Sequence, residues 1–89
     1  MLGAVIKQTG RISESLIASQ KSVQLKPTDS EAHNNLGGIL QELERFHEAE
    51  VSYRKVIELK PDYPGAHNNL GLVLRKKDLL LKILKQKNL

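Results

Sequence analysis

The residues most able to do chemistry here are three histidines, a serine cluster and two Asn-Asn pairs. His33 and His67 stand 34 residues apart, each opening the pentapeptide His-Asn-Asn-Leu-Gly, at 33–37 and again at 67–71. Matched imidazoles raise a metal site, since neutral imidazole is a common metal ligand. Equivalent places on neighbouring helices lie about 8–10 Å apart, too far for two rings to share one ion without bending inward. There is no cysteine to complete a ligand set. The preferred reading is two packing histidines and no metal, with His47 beside a turn at the surface. The serines of residues 1–29 have no histidine or acid at helical spacing to activate a nucleophile. Gly37-Gly38 lacks the Gly-Lys-Ser/Thr ending of a phosphate loop. The expectation is no catalysis and no cofactor.

The elements that position these residues follow from one period. Ile57-Glu58-Leu59-Lys60-Pro61-Asp62 echoes Val23-Gln24-Leu25-Lys26-Pro27-Thr28 at the same 34-residue offset as the histidine pentapeptides. Two markers with one period define an internal repeat, and a repeat of this length points to stacked helices. Leu36, Ile39, Leu40 and Leu43 recur at helical steps, after a Thr28-Asp29-Ser30 helix start. Phe46, Ala49, Tyr53, Val56, Ile57 and Leu59 form a second apolar series, which Lys60-Pro61 ends. The spacing predicts helices over 2–9, 12–25, 30–43, 46–59 and from 64 onward. Gly10 makes the first turn, and Pro64 sits in the first turn of the last helix. Leu36, Leu40, Ala49, Tyr53, Val56 and Leu70 are expected in the core. Neither helix of a unit can bury its stripe alone, so each unit needs a neighbour.

The unit resembles the tetratricopeptide repeat, whose pattern runs W-x2-L-G-x2-Y, then A-x3-F, then P. His33-x2-Leu36-Gly37-x2-Leu40, Ala49-x3-Tyr53 and Pro61 fill those places, with His33, Leu40 and Tyr53 as the departures. The resemblance implies an all-α fold: a short right-handed superhelical array of antiparallel helix pairs. It divides one domain, 1–89, into a partial repeat 1–29, a complete repeat 30–63 and a divergent partial repeat 64–89. It also implies a concave groove lined by the first helices, and a protein or peptide partner lying in it. The groove places fall on Asn34, Asn35, Gly38, Gln41 and Glu42, then on Asn68, Asn69, Leu72, Arg75 and Lys76. Such a run is similar to the asparagine-lined groove of the O-GlcNAc transferase repeats. An amide donates and accepts at once, so it can bond an extended backbone without reading its sequence. Asn35 and Asn69 are expected to lead, with their amides free of side-chain partners, followed by Asn34, Asn68 and Gln41. The family's two-carboxylate clamp needs Lys and Arg where this chain has Glu31, Asn34, Asn35 and Asn69, so it is not carried over.

Composition bounds the alternatives. The net charge of +4 hides an acidic middle, with four basic against seven acidic residues over 30–63, and a basic tail, with six against one over 64–89. Arg75, Lys76, Lys77, Lys82, Lys85 and Lys87 could attract nucleic acid or a membrane surface, but no aromatic is interleaved for base stacking. Nucleic acid is therefore disfavoured. No apolar run reaches the roughly 18 residues of a membrane span. Met1-Leu2-Gly3 opens no signal peptide, and the absence of cysteine fits the cytoplasm. A non-catalytic repeat piece of a larger enzyme, such as a glycosyltransferase, is a further alternative. No glycine or proline follows Asp78, so the last helix is expected to run on to about Lys87 without turning. Its extension would leave leucines on both faces in water. Self-association into a homo-oligomer through Leu79, Leu80, Ile83 and Leu84 is therefore expected.

Overall fold

The computed structural model describes residues 2–87, and the side chains of residues 10–86. Its four helices are α1 (Leu2–Leu25), α2 (Ser30–Glu42), α3 (Phe46–Leu59) and α4 (Ala66–Lys87). Each packs on the next in chain order, and no strand occurs among the described residues. The architecture is an all-α array of helices packed in adjacent pairs.

In the α2–α3 hairpin the sequence specifies both ends of the helices and the interface between them. Asp29 caps α2 by accepting the Glu31 backbone N–H at 3.0 Å, supplying a partner the first turn lacks. The chain reverses at Leu43-Glu44-Arg45, where Glu44 takes φ 59° and the Arg45 N–H reaches back to the Leu40 carbonyl at 2.9 Å. Arg45 then grips Glu48 across the first turn of α3, with Nη2 donating to Oε1 at 2.8 Å. Between the helices Gly37 faces the Tyr53 ring so closely that a β-carbon there would lie 2.8 Å from Cε1. The core gathers Leu40, Ala49, Tyr53 and Val73, flanked by Leu16, Leu36, Phe46 and Leu70. Leu40, Ala49, Tyr53 and Val56 are buried as expected, whereas Leu36 and Leu70 are only half-buried. Both lie at the flank of an array with few units to cover them.

Two helix ends depart from expectation. Gly10 makes no turn: α1 is continuous from Leu2 to Leu25. Glycine permits a reversal without imposing one. The residues that would close this hairpin, Ser15 and Ser19, replace the Ala49 and Tyr53 that close the next, so less apolar burial drives it. Pro64 also precedes the helix rather than opening it. Pro64 and Gly65 form a turn, with Gly65 at φ 79° and its carbonyl accepting the Asn69 N–H at 2.8 Å. By contrast α4 passes Asp78 without turning, as its sequence demands. At the places of Arg45 and Glu48 it has Leu79 and Lys82, which cannot make the capping pair. Asp78 instead bridges Lys82 along the helix at 3.2 Å.

Candidate interaction groove

The two histidines do the same job in successive units. His33 Nε2–H donates to the Pro27 carbonyl at 2.8 Å, and His67 Nε2–H to the Pro61 carbonyl at 3.3 Å. A carbonyl only accepts, so each ring must carry its proton on Nε2. Each bond ties a helix start to the loop six residues earlier. His33 is buried, but His67 is exposed, so only the first is packed as the sequence suggests. Among the described residues, no three His, Cys, Asp or Glu side chains are grouped to hold a metal ion.

Asn34, Asn35 and Asn69 converge on one open recess of about 570 Å³, with Ser15, Ala18, Ser19, Gly38, Ile39, Glu42 and Tyr53 completing its walls. The periodic sequence accounts for this convergence. α4 lies beside α3 and brings Asn69 within reach of α2, where its Nδ2 donates to Asn34 Oδ1 at 3.4 Å. Asn69 therefore has a side-chain partner, contrary to expectation; 34-residue spacing places it one place out of register with Asn34, close enough to pair. Asn35 is exposed. The other expected groove residues stand apart. Gln41 accepts the Tyr53 hydroxyl at 3.1 Å, which fixes the buried ring over Gly37. Burial raises the Tyr53 phenol above its ordinary pKa, so it stays a hydrogen-bond donor at neutral pH. Asn68 and Leu72 are exposed on α4 and do not line the recess.

Sequence reasoning missed one charged cluster. Glu50 on α3 accepts from Lys77 of α4 at 2.9 Å and from Arg54 at 3.0 Å, with its side chain only 14% exposed. The Lys77 and then the Arg54 hydrogen bonds hold its carboxyl below the usual carboxylate range. Lys77 Nζ also lies 3.2 Å from His47 Nδ1. The Glu50–Arg54 spacing was visible in the sequence; Lys77 was not, because pairing it needs the path of α4 along α3. Beyond that clasp the α4 leucines lie bare: Leu79 is 59% exposed, Leu80 37%, Ile83 42% and Leu84 48%. No helix among the described residues is long and apolar enough to cross a membrane.

A family model described as the tetratricopeptide repeat matches residues 30–63, which span α2, α3 and the loop that follows. Motifs of that family generally mediate protein–protein interaction and typically form non-catalytic scaffolds. No curated protein matches the chain.

Proposed function

We propose that the recess beside α2 holds an extended segment of a partner protein, with Asn34, Asn35 and Asn69 bonding its main chain. The observation that carries the reading is the convergence of these three amides on one open concavity whose floor includes Gly38. The missing β-carbon lets a backbone approach, and the amides supply both donors and acceptors. The Asn34–Asn69 bond aligns two amides side by side at 3.4 Å while leaving donor and acceptor capacity on each. Gln41, Asn68 and Leu72 play no part in this contact. Panning a phage library of random 12-residue peptides tests the reading. Enriched peptides should share little consensus, and should lose binding to the Asn35→Ala/Asn69→Ala variant. Enrichment that ignores this variant would overturn it.

A second reading rests on a separate observation. Leu80 and Leu84 continue the face on which Val73 is buried, past the point where α3 begins, and Leu79 and Ile83 lie bare on the other side of α4. We infer that a second copy of the chain covers Leu79, Leu80, Ile83 and Leu84. No observation favours the basic residues of α4 as a nucleic-acid or lipid site, or the chain as part of a glycosyltransferase.

A further inference from the structure

We propose that two copies of the chain pair through α4, antiparallel: the second half of each α4 lies on the first half of the other, in a seat that the single chain leaves open. This pairing rests on the second-copy reading and gives that copy a defined place and direction.

The seat shows when α4 is set beside α2, its counterpart 34 positions earlier. The face that α2 turns to α3 is closed. His33 is buried, Leu40 is 4% exposed, and the Tyr53 ring lies against Gly37. α4 repeats that face as His67, Gly71 and Leu74, and there it is bare. His67 and Gly71 are exposed, Leu74 is 38% exposed, and a β-carbon on Gly71 would meet nothing within 4 Å. Beside this face, Arg54, Ile57 and Glu58 of α3 with His67 and Leu70 of α4 frame an open recess of about 390 Å³. The matching recess one unit earlier, around His33 and Leu36, has Val23 of α1 on one side and Ser52 and Lys55 of α3 on the other. At α4 only the α3 wall is present.

α4 carries the occupant as well as the seat. At 100° per residue, Leu70, Leu74, Leu81 and Leu84 fall within about 80° of one another, on one stripe that Leu80 borders. Leu80, Leu81 and Leu84 are exposed. α4 runs straight from Ala66 to Lys87, so its second half projects away from its own seat. A second copy has no such constraint. A two-fold axis near Lys77-Asp78, midway between Leu74 and Leu81, sets Leu74 of each copy against Leu81 of the other and brings Leu84 to the recess beside Leu70 and Ile57. One stripe then serves as seat and occupant, as a two-fold contact requires. Charge fixes the direction. Residues 66–74 hold no Lys, Arg, Asp or Glu, so the antiparallel pair sets Lys82 and Lys85 of each copy against an uncharged half. A parallel pair would stack the same lysines on each other, which disfavours it. Pairing follows concentration, so in dilute solution the seat is empty and Gly71 stays open.

The chain has no native cysteine, so disulfide exchange reads the pairing directly. Leu74→Cys and Leu81→Cys chains are mixed at high micromolar concentration in a glutathione redox buffer. The mixed disulfide should exceed either homodisulfide at least about fivefold, because only facing positions come within disulfide reach. Leu72→Cys, on the opposite side of α4, should pair with neither. Gly71→Arg, made in the otherwise native chain, tests the seat a second way. Its side chain enters open space in the single chain, so helical circular dichroism should hold while the dimer's Kd in light scattering rises at least about tenfold. A mixed disulfide no more abundant than the homodisulfides, or a dimer that Gly71→Arg leaves intact, would overturn the antiparallel seat while the second-copy reading stands. A wild type that is monomeric at high micromolar concentration would overturn both.

Discussion

A glycine at one place of the repeat carries opposite burdens in two units. At Gly37 a β-carbon would meet the Tyr53 ring at 2.8 Å, whereas at Gly71 it would meet nothing within 4 Å. Alanine gains about 1 kcal/mol of helix propensity at either place. At Gly37 that gain is set against an overpacking cost of about 1–3 kcal/mol, because Tyr53 is buried and held by Gln41. Gly37→Ala should therefore destabilise by about 1 kcal/mol on balance, and Gly71→Ala should stabilise by about 0.5–1 kcal/mol, in urea unfolding. Shifts of the same sign would mean that a second helix covers the third unit after all. Replacing His33 by Phe keeps a ring but drops the bond to Pro27. A loss of about 0.5–1.5 kcal/mol is expected, and a smaller one from His67→Phe, whose bond is longer and exposed. The sequence placed both histidines in equivalent positions because the pentapeptide repeats, but it could not show that each reaches a proline carbonyl. That bond depends on how the intervening loop curls.

Helices α3 and α4 are clasped by charge as well as by Val73 and Phe46. Lys77→Ala should cost about 0.5–1 kcal/mol, a figure discounted for a lysine about one-third exposed. The pH dependence has a definite sign. Because Glu50 is held below its ordinary range, its ion pairs contribute fully above the unfolded carboxyl value of about 4.3, and the contribution is lost as pH falls through the lowered folded value. The wild type should lose stability more steeply than Lys77→Ala in acid titrations below about pH 4.3; equal slopes would remove Lys77 from the account. At this scale the sequence was most legible where it was most specific. Asp29, the Leu36–Leu40 stripe and Lys60-Pro61 bounded α2 and α3 closely, and the lack of glycine or proline after Asp78 made α4 run straight. Gly10 misled because a residue that allows a turn was read as one that makes it. The turn-making burial at Ser15 and Ser19 was too weak to hold it.

The described residues form an array with one hairpin, α2–α3, and a long helix on each side. Repeat arrays commonly need about three units for stability, and covering what is still exposed of the α4 leucines would gain about 0.5–1.5 kcal/mol each. Light scattering at high micromolar concentration should find a dimer or larger assembly, and Leu80→Glu/Leu84→Glu should return it to monomer. A monomeric wild type would rule out the second-copy reading while leaving the groove untouched. Of that groove, the sequence showed which amides repeat but not which of them meet. Asn69 turns to Asn34 while Asn68 faces solvent, an outcome of helix rotation that spacing alone leaves open. The direct test of the groove is a calorimetric titration of one panned 12-residue peptide into the wild type, Asn35→Ala/Asn69→Ala and Asn68→Ala. Two lost amide bonds at about 0.5–1.5 kcal/mol each should weaken the double variant by about 5- to 150-fold, with its helical circular dichroism unchanged and Asn68→Ala binding like the wild type. Equal affinity of the peptide for the wild type and the double variant would contradict it.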